Sequence, residues 1–200
     1  MTRERAGDYD AKKQLILDRA ADLFASKGFD GTTMVEVATA CGASKSHLYH
    51  YFPSKEVLLF AIVSEHIAQQ AAELGEIVAR PLPALDRFEL FVSAFVARSA
   101  ASRSEHLVLM GCLNFLPDAE RQQVRTLEAQ LIGLMIGLLE EINPGLMAPE
   151  TVKTPYAMLL FGMIIWTFTW YQQTGAIKPQ ELAARISQLF IQGFRGSRFP

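Results

Sequence analysis

Residues 32–56 read TTMVEVATACGASKSHLYHYFPSKE, and this stretch decides the fold. Thr33 is followed three residues later by Glu36, the spacing of a capping box, so a helix should open at Met34. It is short, because Gly42 supplies the residue that tolerates a left-handed turn. Ser44 can cap a second short helix carrying Lys45 to Tyr51, and Pro53-Ser54 breaks it. Ser54 in turn opens a longer helix with Lys55 and Glu56. Val37, Cys41, Leu48 and Phe52 fall at spacings that let them point inward, and Ala38 is small enough for a close helix crossing. What remains on the second helix is polar, or aromatic with a polar tip: Lys45, Ser46, His47, Tyr49, His50 and Tyr51.

Two short helices joined by a tight turn, with the second presented outward, have the form of a nucleic-acid reading unit. Charge agrees: from Val37 through Lys55 there is no acidic residue, while Lys45, Lys55, His47 and His50 are present. A carboxylate in that window would be repelled by phosphates. The formal net charge of the chain is -2, so any affinity for a polyanion has to be local. A plain three-helix core with a solvated face is the competing reading of the same pattern. His47 and His50 stand i, i+3 on a helix but have no third ligand nearby in sequence, so neither a metal nor another cofactor is expected.

Outward from this stretch the apolar period is helical nearly everywhere, and no period-two run argues for a sheet. Leu15, Ile16, Ala20, Leu23 and Phe24 share a face of a first helix running from about Ala11 to Ser26 or Lys27, with Gly28 at its end. The residues before it, with Arg3, Arg5, Lys12 and Lys13, read either as an arm adding phosphate or minor-groove contacts or as a solvated tail. The helix from Lys55 should reach about Ala79, where Arg80-Pro81-Leu82-Pro83 ends it. Further helices are expected near Ala84–Ala101, Glu105–Asn114, Asp118–Ile142, Pro149–Gln173 and Pro179–Phe194, which makes an all-α chain of about nine helices.

The two cysteines, Cys41 and Cys112, lie far apart in apolar surroundings and read as buried free thiols. No signal peptide is expected at the N-terminus. Thr154 to Ile177 carries no charge, but its strongly apolar part is shorter than the roughly 20 residues of a spanning helix. A buried helix at a protein–protein interface is expected there, with no membrane partner. No nucleophile elbow, P-loop, dinucleotide fingerprint or zinc-protease pattern occurs, so no catalytic residues are assigned and an enzyme is not expected.

Gly42-Ala43-Ser44-Lys45-Ser46-His47-Leu48-Tyr49-His50-Tyr51-Phe52-Pro53-Ser54-Lys55-Glu56 resembles the recognition segment of the TetR/AcrR family of transcriptional regulators. Ile16, Leu17, Ala20, Leu23, Phe24, Gly28, Phe29, Thr32 and Thr33 resemble that family's first helix and entry turn, and the likeness runs without a gap from about Lys13 to Ile62. The resemblance implies a three-helix, helix-turn-helix DNA-binding domain over residues 1–55 and a helical effector-binding and dimerisation domain over residues 56–200. It implies that Thr33, Tyr49, Tyr51 and Lys55 meet phosphates, while Lys45, Ser46, His47 and His50 face the major groove. The stretch has no Arg or Asn for the common bidentate readings of G or A. Specificity would then lean on Lys45, on apolar contacts or on DNA shape.

The resemblance further implies a cytoplasmic homodimer formed through the last two helices. It would act as a repressor on palindromic double-stranded DNA and leave its operator when a small-molecule effector binds. Large apolar and aromatic residues on the middle helices are the candidate pocket, with Phe95, Met110, Asn114, Phe115, Met135, Trp166 and Trp170 as its lining. Phe88, Phe91, Leu131 and Phe168 belong to the same wider group, each with ordinary core packing as its alternative. Asn114, Thr167 and Thr169 could orient a ligand, and Arg98, Arg103 and His106 could hold an anion at the mouth. Residues 162–171 and Pro179 to Ala183 resemble the regulators of acyl-CoA, fatty-acid or phenylacetate catabolism within the family, which implies an acyl-CoA thioester as effector. A lipophilic drug-like or aromatic effector is the runner-up. The competing class is a dimeric, lipophilic-ligand-binding interaction protein without specific DNA readout.

Overall fold

A computed structural model describes the backbone of residues 2–172 and 174–197, with side chains from residue 9 onward except that of residue 168. Arg3 and Arg5 of the expected arm, and Phe168 of the wider pocket group, fall outside the described side chains. The elements are α1 (Thr2–Lys27), α2 (Met34–Ala40), α3 (Lys45–Tyr51), α4 (Lys55–Val78), α5 (Ala84–Ala101), α6 (Arg103–Cys112), a 3-10 turn (Leu113–Phe115), α7 (Asp118–Ile142), α8 (Glu150–Trp170) and α9 (Pro179–Gly196). Among the described residues there are nine α-helices and no strand, as the helical period predicts.

Three boundaries differ from the sequence reading. α1 opens at Thr2 instead of Ala11, so the expected arm has helical backbone, and Lys13 is paired with Glu65. α6 starts at Arg103 and gives way after Cys112 to the 3-10 turn, which absorbs Asn114. α8 stops at Trp170 because Tyr171 turns extended and its buried ring is fixed by a hydroxyl donating to the Ile177 carbonyl at 2.9 Å. α9 then opens with Pro179 at its first turn, where the missing N–H costs nothing.

The chain divides into two compact units. The first holds residues 1–67 and 102–125, and so extends beyond the expected 1–55 head. The physical reason is α1. It buries Ile16, Leu17, Ala20, Ala21 and Phe24, and α6 as well as α2 packs along it. Ser104 donates to Asp22 at 2.7 Å, and Phe115 stacks on Phe29 with ring centroids 4.7 Å apart. His66 and His106 are buried here edge to face, 6.1 Å apart. Burial first, and the neighbouring His66 second, push His106 down to about 4, so it is neutral at pH 7.

The second unit holds residues 68–101 and 126–200. Its core is aromatic: Phe88 stacks on Phe190 at 5.9 Å, Phe190 on Phe194 at 5.5 Å, and Phe95 meets Phe161 at 5.4 Å. Met135, Leu138 and Leu139 of α7 are fully enclosed in this unit. Arg87 donates to the carbonyls of Val78 and Leu82 at 2.9 and 3.0 Å, which closes the Pro-rich link before α5. Both cysteines are free, Cys112 buried and Cys41 half-buried. No helix among the described residues is long and apolar enough to cross a membrane.

Candidate nucleic-acid interface

The reading unit is built from caps. Thr33 accepts from the Glu36 N–H at 3.2 Å, and the Thr33 N–H donates back to the Glu36 carboxylate at 2.8 Å. The Thr33 hydroxyl donates to the same carboxylate at 2.9 Å, and Lys27 reaches it from α1 at 2.8 Å. The Lys27 ammonium, then the Thr33 donors, hold the Glu36 carboxyl at about 2, well below its ordinary 4.5. The Glu36 carboxylate in the first turn of α2 is therefore consumed internally. Gly28 and Gly42 take φ of +79° and +62°, which ends α1 and turns α2 into α3.

Ser44 accepts from the His47 N–H at 3.2 Å and opens α3; Ser54 does the same for Val57 and opens α4. Val37 and Leu48 are fully buried, with Ala38 and Phe52 almost so. That one inward row leaves Lys45, Ser46, His47, Tyr49 and His50 exposed on α3, with Tyr51 half-buried. Lys45 lies over the Tyr49 ring at 5.6 Å. The face is cationic and aromatic, rich in donors and free of carboxylates, which suits phosphates and base edges.

Two expected phosphate contacts sit differently from a free surface group. The Thr33 hydroxyl is exposed but its proton is directed at Glu36. The Lys55 ammonium donates to the carbonyls of Phe29 and Thr32 at 2.7 and 3.0 Å and rests 4.2 Å from the Phe29 ring centre. Two of its three donors thus bolt the entry turn to the start of α4, leaving one for a phosphate. Tyr9 is the residue of this face that sequence reasoning missed. Its ring stacks on Tyr51 at 4.6 Å, and a first helix expected only from about Ala11 leaves no signal for it in the sequence.

The expected effector set is divided between the two units. Phe95 and Met135 are closed into the core of the second unit. Met110, Asn114 and Phe115 belong to the first unit and are exposed, and Phe115 is engaged with Phe29. Trp166 is 68% exposed and Trp170 54%, beside Leu159 at 62% and Met158. The sequence reading grouped these residues by type; on α8 the three-and-four spacing of Leu159, Gly162, Trp166 and Trp170 makes them an outward apolar stripe. Leu189 of α9, 67% exposed, is of the same kind. Thr167 and Thr169 spend their hydroxyls on the carbonyls of Ile164 and Trp166.

Of the expected anion trio, Arg98 belongs to the second unit and Arg103 and His106 to the first. Arg98 donates to Glu73 at 2.9 Å and to Gln69 at 2.6 Å, while His106 is buried and neutral. A groove of about 760 Å³ runs between α5 and α9, lined by Asp86, Glu89, Leu90, Ser93, Gln188 and Gln192 among others, and holds none of the expected effector residues.

Comparison with known proteins agrees with this geometry. Residues 16–62 match the family model "Bacterial regulatory proteins, tetR family", and residues 81–194 match "Tetracyclin repressor-like, C-terminal domain". The transcriptional repressor KstR2 of Mycobacterium tuberculosis is 30% identical over 198 residues, covering 94% of this chain and 95% of that protein. The HTH-type transcriptional regulator RutR of Escherichia coli is 42% identical over 64 residues; that match covers 32% of this chain and spans only 30% of the relative's length. The crystal structure of a TetR-family regulator from Bordetella parapertussis superposes with a TM-score of 0.85 at 34% identity, covering 94% of this chain and 98% of that one.

Two more distant structures share the fold. AibR, solved with isovaleryl coenzyme A and operator DNA, has a TM-score of 0.76 at 22% identity over 89% of this chain and 97% of its own. FadR from Bacillus subtilis, solved with stearoyl-CoA, has a TM-score of 0.73 at 20% identity over 90% and 98%. With both family models matched in order and a full-length relative at this identity, the chain belongs to the TetR family of DNA-binding transcriptional regulators.

Proposed function

We propose that this regulator is a homodimeric repressor that holds a palindromic operator through α3 and leaves it when an acyl-CoA thioester binds. The observation that carries the DNA assignment is the acid-free outer face of α3. Lys45, Ser46, His47, Tyr49 and His50 stand exposed above the buried Leu48 and Phe52. Lys45, Ser46, His47 and His50 read the major groove, Tyr49 and Tyr51 meet phosphates, and Thr33 and Lys55 chiefly shape the frame. The work takes place on DNA, in the cytoplasm.

The dimer uses the outward stripe of α8, with Leu159, Trp166 and Trp170, together with Leu189 of α9. An exposed apolar face of this kind is unfavourable in a lone chain, and a second copy covers it isologously. A two-fold dimer in turn requires a two-fold operator. The effector class is suggested by the fold shared with AibR and FadR, both solved with acyl-CoA molecules. The acyl chain would part the apolar core at Phe95 and Met135, and a ligand that favours one spacing of the two heads shifts the population away from DNA.

The test is a salt-titrated gel shift on the DNA upstream of the chain's own gene, repeated with a panel of acyl-CoA thioesters. Specific binding that a thioester releases supports the whole reading. Specific binding without release keeps the operator and discards the thioester. No specific binding at any salt returns the molecule to the competing class, a dimer that binds lipophilic ligands without reading DNA.

A further inference from the structure

The last residue of α3 is held by a residue that lies far from it in sequence. Tyr51 is met face-on by Tyr9 of α1, with ring centroids 4.6 Å apart and planes 24° from parallel. It is also met edge-on by His47 at 5.2 Å and by His50 at 5.8 Å. Offset stacks and edge-to-face pairs are the two favoured aromatic geometries, so the cluster is satisfied internally. Tyr9 remains 44% exposed, which rules it out as an ordinary core anchor. Its one ring contact among the described residues is the stack on Tyr51.

Orientation matters more on this helix than on most. α3 has seven residues and no arginine or asparagine. A guanidinium offers five donors and tolerates small errors of aim. An imidazole offers one donor and one acceptor in the plane of a single ring, so a rotated His47 or His50 loses both at once. Their rings abut Tyr51, and Tyr51 is fixed from outside the helix by Tyr9. From this arrangement we infer that Tyr9 is a positioning residue of the DNA-reading face: through Tyr51 it sets the planes of His47 and His50. The inference rests on the DNA reading above and adds α1 to the surface that determines base preference.

The experiment compares wild type, Tyr9→Ala, Tyr9→Leu and Tyr9→Phe. Each is measured for affinity on the selected operator and on random DNA, for base preference by selection from a randomised duplex, and for salt slope. Aromatic pairing of this kind corresponds to about a fivefold effect. Tyr9→Ala is expected to bind the operator about fivefold more weakly, with random DNA unaffected. Its base preference should flatten at the pairs beneath His47 and His50, and its salt slope should stay unchanged. Tyr9→Phe should behave as wild type, and Tyr9→Leu, which keeps apolar bulk without a ring, should follow Tyr9→Ala.

An operator affinity and base preference in Tyr9→Ala equal to wild type would overturn the inference. So would equal losses in Tyr9→Ala and Tyr9→Phe with a salt slope lower by about one, which would make the hydroxyl a phosphate ligand. Equal weakening on operator and random DNA with a lower melting temperature would reduce Tyr9 to a support of the fold. If wild type itself selects no sequence, the DNA reading fails and the positioning role falls with it. Wild-type selectivity with an indifferent Tyr9 sinks the positioning role alone.

Discussion

α3 and α8 are built alike and finish differently. Each buries one row of side chains, Leu48 with its neighbour Phe52 in the first case and Ala157, Leu160, Phe161 and Ile164 in the second. Each leaves the opposite row to solvent. On α3 that row is Lys45, Ser46, His47, Tyr49 and His50; on α8 it is Met158, Leu159, Trp166 and Trp170. The buried rows say only that both helices belong to a core. The outer rows differ in kind, one suited to a polyanion and the other to more apolar surface, and so they point to different partners.

Breaking the α8 row should have the largest effect. Trp166→Glu combined with Leu159→Glu places two carboxylates on the proposed interface. Light scattering should then report a monomer, and operator affinity should fall roughly 100-fold or more, because two linked half-site contacts become one. A variant that stays dimeric would move the interface elsewhere. Lys55→Met comes next, since it keeps the apolar stem and removes the ammonium. Loss of two charge-assisted bonds to the Phe29 and Thr32 carbonyls should lower stability by about 2 kcal/mol in denaturant unfolding. An unchanged salt slope would make Lys55 purely a frame residue, whereas a slope smaller by about one would return it to the phosphate contacts.

Gly42→Val tests the turn that presents the α3 row. A Cβ there would meet nothing within 4 Å, so the penalty is the φ of +62° alone. A β-branched residue at that angle should cost about 1–2 kcal/mol, with weaker operator binding to match. Unchanged affinity would mean the turn tolerates another path.

Glu36→Gln should be the smallest change. The folded carboxyl titrates near 2 against an ordinary 4.5, so its contribution is complete above pH 4.5 and is lost as pH falls toward 2. Wild type should lose stability across that window in acid unfolding, and Glu36→Gln should be flatter there. Parallel acid limbs in the two proteins would remove Glu36 from the account.

The elements whose positions follow from neighbours in sequence were readable in advance. Thr33, Ser44 and Ser54 cap the three helices expected of them, and Gly42 makes the turn, because a cap bonds within three residues of itself. The outer row of α3 follows from the same local period. What escaped the sequence acts across distance. Lys55 reaches carbonyls 26 and 23 residues away, and Tyr9 of α1 finds Tyr51 of α3 across the whole of α2. The differing exposure within the pocket set was hidden for a related reason. Residue type and helical period mark Trp166 and Phe95 equally as apolar, yet one faces out and the other in, and only packing separates them.

Phe29 gains a particular standing from these contacts. It belongs to no helix, and it touches Phe24 of α1, the ammonium of Lys55 on α4, and Phe115 of the 3-10 turn. Three stretches of chain therefore take their bearings from one ring. The seat of Lys55, and with it the carbonyls that lead into α2, shares this ring with the 3-10 turn. Phe29 carries no chemistry of its own, yet it is the hub through which the start of the reading unit registers the position of a segment more than eighty residues downstream.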